Sequence, residues 1–275
     1  FKNNYFIYNF DDELLYELRN TIKKPLKLVA VSLNYDINFL LNDLNKEKMI
    51  LTVKDNFVVK IQNKEIEKVL DLNKFIDAPI RYKPFLYNVL FVVAAALSYG
   101  LNKEEIEEIY KYKFDYNGGR LTLFKVKDKF VLLDYAHEKY SLQSLAEFVE
   151  KTGHYSIGVI RLDYKRTIKL IKDTGNFIAE SFDAVYIYDK IDGVKKKDTT
   201  YCGEERKKGT VSSILYNSIK NKRKKNKTVF RFLGEKKAFL RALEKTPKNG
   251  IVVLIVNDLK VDLALLKEMG AKRIK

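Results

Sequence analysis

The chain has 275 residues, 46% of them hydrophobic, and carries 52 Lys plus Arg against 36 Asp plus Glu, a formal charge of +16. That length and apolar content exclude a disordered chain and fit one large core or, more readily, two domains of about 100 to 200 residues. A single cysteine, Cys202, excludes an internal disulfide and a cysteine-based metal site, which suits a reducing cytoplasm.

In chain order, "YFIYNF" and "KLVAVSL" read as core strands, with "DDELLYELRN" an acid-started helix between them. "MILTV" and "FVVKIQ", separated by Lys54, Asp55 and Asn56, predict a hairpin. "PFLYNVLFVVAAALSYG" is the most apolar stretch, but Tyr87, Asn88, Ser98 and Tyr99 interrupt it, so it reads as a buried helix around Asn88 to Leu97 and not as a membrane span. A second helix follows, which Asn102 and Glu105 can cap reciprocally. The adjacent glycines of "DYNGGR", residues 115–120, mark a domain boundary, giving 1–115 and 116–275.

Beyond the boundary the order is regular. "RLTLFKV" and "FVLLD" predict strands, followed by a helix capped by Ser141, the strand "SIGVIRL" and a helix from about 166 to 182. The strand "AVYIY", a helix around 206 to 219, the short strand "TVFRF", a helix from 235, the strand "IVVLIV" and a last helix from 260 complete the chain. Continuous Val, Ile and Leu runs alternating with helices imply an α/β fold with a mostly parallel sheet covered on both faces. Ligands of such sheets bind outside the carboxyl ends of the strands, where Asp134 and His137 fall. His137 is one of only two histidines.

The positive excess would attract polyanions. It concentrates in "VKKKD", 194–198, and "KNKRKKNK", 220–227, and such runs are more often solvated loop than ligand guides.

"GGRLTLFKVKDKFVLLDYAHEKYSL" resembles the junction and first strand-turn-helix of the C-terminal domain of the Mur ligase superfamily, where Gly-Arg precedes a strand and an Asp-Tyr-Ala-His-Asn-Pro turn. "IAESFDAVYIYD" and "FLRALEKTPKNGIVVLIVND" are similar to that domain's later units. "YNFDDELLYEL" and "YNVLFVVAAALSYGL" resemble the Asn-x-Asp-Asp segment and the Asn-bearing, alanine-rich helix of the central ATPase domain. Among the branches, cyanophycin synthetase is the nearest in character. The resemblance implies the back half of a P-loop-type central ATPase domain, 1–115, followed by a Rossmann-like C-terminal domain, 116–275. It also implies ATP- and magnesium-dependent joining of a carboxylate to an amine through an acyl phosphate, with the nucleotide held between the two domains. On this resemblance Asn88 reads the adenine edge, Arg120 is directed at the phosphates, Asp134 holds the ribose or orients the nucleotide, and His137 lines the cleft. Arg120 and His137 are thereby the catalytic candidates and Arg166 the substrate-binding candidate. No metal ligand is assigned.

Each residue also has a plainer reading. Asn88 fits a buried amide satisfying helix-end carbonyls, Arg120 a linker salt bridge, Asp134 the cap of its own turn, and His137 a hydrogen-bonded structural histidine, the stronger reading of its spacing alone. His154 has no evident partner and reads as surface, while Asp11 and Asp12 read as a helix-start pair. Departures from the family pattern leave the substrate open: Glu138 and Lys139 stand where relatives have Asn and Pro, Pro84 and Phe85 where many have His and Asn, and "RLDYKRT" lacks the glycines that usually precede the arginine.

No Gly-x-x-x-x-Gly-Lys-Ser/Thr phosphate loop occurs in the 275 residues. The family's magnesium glutamate and carbamylated lysine are also absent, and the chain opens on Phe1 without methionine or signal peptide. An upstream segment or partner carrying the phosphate loop is therefore expected, and the chain alone is expected to be inactive. Two functional classes remain open: a cytoplasmic ATP-dependent amide ligase making a cell-wall-type peptide or amino-acid polymer, and a non-catalytic module using its basic surface for nucleic acid or another polyanion. Neither involves a membrane.

Overall fold

The computed structural model describes residues 4–22, 26–43, 47–74, 82–111, 119–189, 200–201, 204–205, 209–223 and 228–274. The chain divides into two compact units, Phe1–Asp115 and Tyr116–Lys275.

The first unit begins with β1 (Tyr5–Asn9), α1 (Glu13–Thr21), β2 (Lys27–Val31) and α2 (Ile37–Asp43). Next come β3 (Glu47–Lys54), β4 (Phe57–Gln62), β5 (Glu65–Asp71) and a 3-10 turn at Leu72–Lys74, then α3 (Lys83–Tyr99) and α4 (Lys103–Lys111). The strands form one five-stranded sheet in sequence order, with β1, β2 and β3 parallel and β3, β4 and β5 an antiparallel meander. Asp55 and Asn56 close the predicted hairpin with positive φ (49° and 60°), the double left-handed conformation that a two-residue turn matching strand twist requires. Asn63 and Lys64 repeat it before β5 (51° and 65°). The sequence reading missed β5 because Glu65, Glu67, Lys68 and Asp71 break its apolar pattern and only Val69 and Leu70 are buried; it also missed α2.

Helix α3 starts earlier than expected, since Pro84 in the first turn forfeits only an amide that has no helical partner there. It stops at Gly100, whose φ of 93° is left-handed. As predicted, Asn102 and Glu105 cap α4 reciprocally, each backbone N–H donating to the other's side chain at 2.8 and 2.9 Å. A buried polar cluster joins α1 to the sheet: the Tyr8 hydroxyl and Arg19 Nη1 both donate to Glu47 Oε1 at 2.5 Å. The Arg19 guanidinium also lies 3.7 Å from the centre of the Tyr16 ring.

The second unit starts with β6 (Thr122–Val126), β7 (Lys129–Asp134), α5 (Lys139–Glu150), β8 (Ser156–Ile160), α6 (Ile168–Ile178) and β9 (Ala184–Ile187). A two-residue pair, β10 (Thr200–Tyr201) and β11 (Glu204–Glu205), precedes α7 (Thr210–Lys222), β12 (Thr228–Arg231) and α8 (Glu235–Lys245). The last elements are β13 (Ile251–Ile255), α9 (Leu259–Glu268) and β14 (Lys272–Arg273). The seven-stranded sheet runs β12-β9-β8-β13-β7-β6-β14; its first five strands are parallel, and β6 and β14 are antiparallel additions.

Strands β8, β9 and β13 are buried at every position, as expected of a parallel sheet clothed on both sides. Side-chain alternation sorts the core. Leu132, Val253 and Ile255 pack with Leu142 and Leu145 of α5, Ile171 of α6 and Leu215 of α7, whereas Val131, Val252 and Leu254 pack with Phe239 of α8 and Leu266 of α9. Several ends differ from the sequence reading. The predicted helix 166–182 is only α6, because Thr167 caps it by accepting the Leu170 N–H at 3.2 Å, and the expected helix 206–219 is α7, shifted toward the C-terminus. Glu138, not Ser141, is the N-cap of α5; the Ser141 hydroxyl instead accepts the Glu138 N–H at 3.1 Å from the third helical position.

The connections leaving β8 and β13 run to opposite sides of the sheet, so the carboxyl ends of this neighbouring pair form a topological switch point. A buried polar cluster fills it. Arg161 donates to the Val256 carbonyl at 2.9 Å, and the Tyr188 hydroxyl contacts Ile255 O at 2.6 Å and Glu235 Oε1 at 2.5 Å. Asp262 of α9 is 3% exposed and its Oδ2 has no hydrogen-bond partner among the described residues. Burial, then the charges of Glu235 and Asp258, push its carboxyl up to about 8. A carboxyl that holds its proton more tightly folded than unfolded stabilises at low pH, and the gain is lost as pH rises from about 4, the unfolded value, through about 8. Urea unfolding at pH 5 and pH 8.5 should therefore show a fall, at most ~1.4 kcal/mol per pH unit from this group, that Asp262→Asn largely removes; an equal fall in that variant would refute the assignment.

Candidate functional site

The loop leaving β7 is organised by Asp134, the last residue of that strand. Its carboxylate is 2% exposed and accepts two backbone N–H groups, Ala136 at 2.7 Å on Oδ1 and Leu121 at 2.9 Å on Oδ2. The first bond is the Asx turn anticipated from sequence. The second crosses to the segment entering β6 and fixes the residue immediately after Arg120. Burial raises the Asp134 carboxyl above its ordinary value, while the Leu121 and Ala136 N–H groups and the Arg120 charge draw it back toward ionisation.

That entering segment turns sharply. Gly119 has φ 103°, and a Cβ there would lie 2.8 Å from the Tyr135 ring, so both conformation and space demand glycine. The Gly119 N–H is held by Thr122 Oγ1 at 2.9 Å. Arg120 itself is exposed; its carbonyl accepts the Thr122 hydroxyl at 3.3 Å, and its guanidinium, 5.8 Å from the Tyr135 ring centre, has no hydrogen bond or ion pair among the described residues.

His137 Nδ1 lies 2.7 Å from the Tyr135 carbonyl. A carbonyl only accepts, so Nδ1 carries the proton and Nε2 is the nitrogen left open. Nε2 stands 3.8 Å from Glu138 Oε1, beyond hydrogen-bond length. Glu138 is instead engaged by Arg166 in a two-pronged pair, Nη1 to Oε2 at 2.8 Å and Nη2 to Oε1, which holds the Glu138 carboxyl below its usual range. The pair joins the loop after β7 to the loop after β8. Arg166 thus reaches the site through Glu138, a partnership that no sequence spacing signals.

In the first unit, Asn88 is exposed on α3 and its side chain has no hydrogen bond among the described residues, so the buried-amide reading is overturned. Its neighbour Tyr87 donates to Asp11, whose carboxylate also accepts the Ser32 hydroxyl at 2.6 Å and the Leu33 N–H at 2.7 Å. Asp11 therefore ties β2 to α3, while Asp12 alone caps α1 by accepting the Leu15 N–H at 3.1 Å. Sequence reasoning missed the role of Asp11 because both aspartates precede one helix and a single cap suffices.

His154 is exposed, as expected, with its ring 5.4 Å from that of Phe130. The basic run 194–198 lies outside the described residues, as do Cys202 and 224–227. From the second run, Arg223 is buried and spends its guanidinium on the carbonyls of Ala179, Phe182 and Asp183, each at 2.8 Å. Among the described residues no cluster of three or more His, Cys, Asp or Glu is placed to hold a metal ion, and no helix is long and apolar enough to cross a membrane.

The chain is 24% identical over 273 residues to a cyanophycin synthetase from Geminocystis herdmanii, a match covering 97% of this chain and 29% of that protein. The chain therefore spans less than a third of the length of such relatives. Among solved structures, UDP-N-acetylmuramoylalanyl-D-glutamyl-2,6-diaminopimelate–D-alanyl-D-alanyl ligase from Acinetobacter baumannii superposes with TM-score 0.59 at 13% identity, over 96% of this chain and 51% of that one. E. coli FolC in complex with DHPP and ADP gives TM-score 0.58 at 11% identity, over 97% and 54%. No family model matches the chain. The chain is thus similar in sequence to cyanophycin synthetases and in fold to these two ligases.

Since Asp134 satisfies two backbone donors, Asp134→Ala strands both and should cost about 1–3 kcal/mol of stability, while Asp134→Asn, which keeps one acceptor, costs less. Denaturant midpoints decide: equal stability of all three proteins would remove the structural role.

Proposed function

We propose that the chain is the rear portion of an ATP-dependent, ADP-forming ligase that joins a carboxylate to an amine through an acyl phosphate, acting in the cytoplasm on a peptide or amino-acid polymer. The observation that carries this reading is Arg120. An exposed guanidinium with no hydrogen bond or ion pair among the described residues stands at the carboxyl edge of a parallel sheet, beside the Tyr135 ring and with its backbone pinned by Asp134. Such an arrangement suits a group whose partner is an incoming anion, and phosphoryl transfer needs fixed cations to offset charge on the moving phosphoryl group.

On this reading Arg120 faces phosphate, and the open Nε2 of His137 lines the same edge, able to accept a hydrogen bond or, once protonated, to donate one. Asp134 acts as a positioning residue as well as a ribose or nucleotide contact. In the first unit the exposed side-chain amide of Asn88, whose donor and acceptor have no partner among the described residues, suits the edge of a purine. Arg166 contributes to carboxylate substrate binding in competition with Glu138. ATP is the implied nucleotide. Magnesium accompanies it in the proposal, but the described carboxylates form no cluster for it, and no step is assigned to the metal through this chain.

The phosphate loop, absent from these 275 residues, is proposed to come from another segment or a partner. ADP titration of the natural protein containing this chain tests the site. Arg120→Ala should weaken binding by roughly tenfold, the scale of one lost charge-assisted contact, and lower ATP turnover at unchanged melting temperature, with Asn88→Ala acting on affinity alone. Unaltered affinity and turnover in Arg120→Ala would defeat the proposal.

A further inference from the structure

Strand β12 ends the seven-stranded sheet, and among the described residues only β9 pairs with it. The Phe232 N–H, just past the strand, donates to Ile187 O at 2.7 Å. Alternation along a strand turns the backbone of Phe230 the same way, so the N–H and C=O groups of Val229 and Arg231 face the open edge. A free edge of this kind is a template for one more strand.

Beside that edge lies a cavity of about 400 Å³, lined by Ser213, Tyr216 and Asn217 of α7 and by Val229, Phe230 and Arg231 of β12. Val229 and Arg231 share the sheet face covered by α7, and the Arg231 guanidinium reaches the Ser213 hydroxyl. Every polar side chain of this lining can donate a hydrogen bond, and none is acidic. The exposed Lys220, 5.7 Å from the Tyr216 ring centre, and Lys222 add positive charge at the end of α7.

We infer that the open edge of β12 binds an extended acidic peptide as an added strand. The outward N–H and C=O groups of Val229 and Arg231 supply ladder bonds, and the peptide's alternate side chains enter the cavity, where an aspartate or glutamate carboxylate meets Ser213, Asn217 and Arg231. Strand addition supplies affinity without regard to sequence; the donor-lined cavity supplies the preference for acid. Single-stranded nucleic acid would also be drawn by the charge, but it has no use for a peptide edge.

The test is fluorescence anisotropy on the 275-residue chain with a labelled peptide alternating aspartate and valine, a lysine–valine counterpart, and labelled oligo-dT at the same salt. The acidic peptide should bind, the basic one should not, and Arg231→Glu, at an exposed position, should weaken binding roughly tenfold or more. Val229→Pro removes an outward N–H and is tolerable on an edge strand; with an unchanged circular dichroism spectrum it should abolish binding. No binding of the acidic peptide, unchanged affinity in Arg231→Glu, or tighter binding of oligo-dT would each overturn the inference.

Discussion

A buried carboxylate at the end of β7 is the constraint on which the rest of the second unit's candidate site depends. Asp134 gives up most of its hydration, a cost of several kcal/mol for an unpaired charge. Two charge-assisted bonds to backbone N–H groups, each worth about 1.5–3 kcal/mol, offset that cost. Because the two donors belong to different segments, one carboxylate fixes both the turn carrying His137 and the turn carrying Arg120. Asp11 repeats the device in the first unit, at the carboxyl edge of its own parallel strands, where it ties Ser32 and Leu33 to Tyr87 and so sets the helical turn that presents Asn88. In each unit a partly or fully buried acid does structural work so that a neighbouring polar side chain can stay exposed and uncommitted.

What could be read from the sequence follows from the range of the interactions involved. Strands buried on both faces announce themselves as runs of Val, Ile and Leu, so β8, β9 and β13 were legible, as was the reciprocal cap of α4, whose partners are three residues apart. Strand β5 was not, since a half-charged strand gains its identity only from pairing with β4. In the site, Arg120, Asp134 and His137 could be singled out by motif. The local bonds of Asp134 and His137 were legible too, but the long-range ones were not: the Leu121 N–H is 13 positions from Asp134, and Glu138 is 28 from Arg166. Such partners are set by sheet topology, which brings separate loops to one edge and leaves no local periodicity.

The formal charge of +16 overstates the basic surface in a specific way. Arg19, Arg161 and Arg223 are 8%, 5% and 8% exposed, and each is engaged internally, Arg19 by Glu47 and the other two by backbone carbonyls. Arginine suits this use because its charge is never lost and its planar fork can satisfy several acceptors at once. Arg223 shows the consequence most clearly. It sits within the densest basic run of the sequence, yet it closes the carbonyls at the end of α6 and before β9, so the attraction for anions at that end of α7 falls to Lys220 and Lys222.

Glu138 gives a physical meaning to the point where this turn departs from the Asp-Tyr-Ala-His-Asn-Pro turn that it resembles. Where relatives carry a neutral asparagine, Glu138 engages the Arg166 guanidinium with two parallel bonds and brings a compensating charge to within 3.8 Å of the open nitrogen of His137. An incoming carboxylate must therefore displace Glu138 or bind elsewhere. Arg166 is largely covered while Glu138 is about half exposed, at 10% and 54%, so the displacement would proceed by Glu138 swinging outward into water. Its cost is modest, because an exposed carboxylate regains most of its hydration and a half-exposed ion pair is screened by solvent. The pair thus sets a threshold for anions at this edge that Arg120, which carries no such partner among the described residues, does not impose.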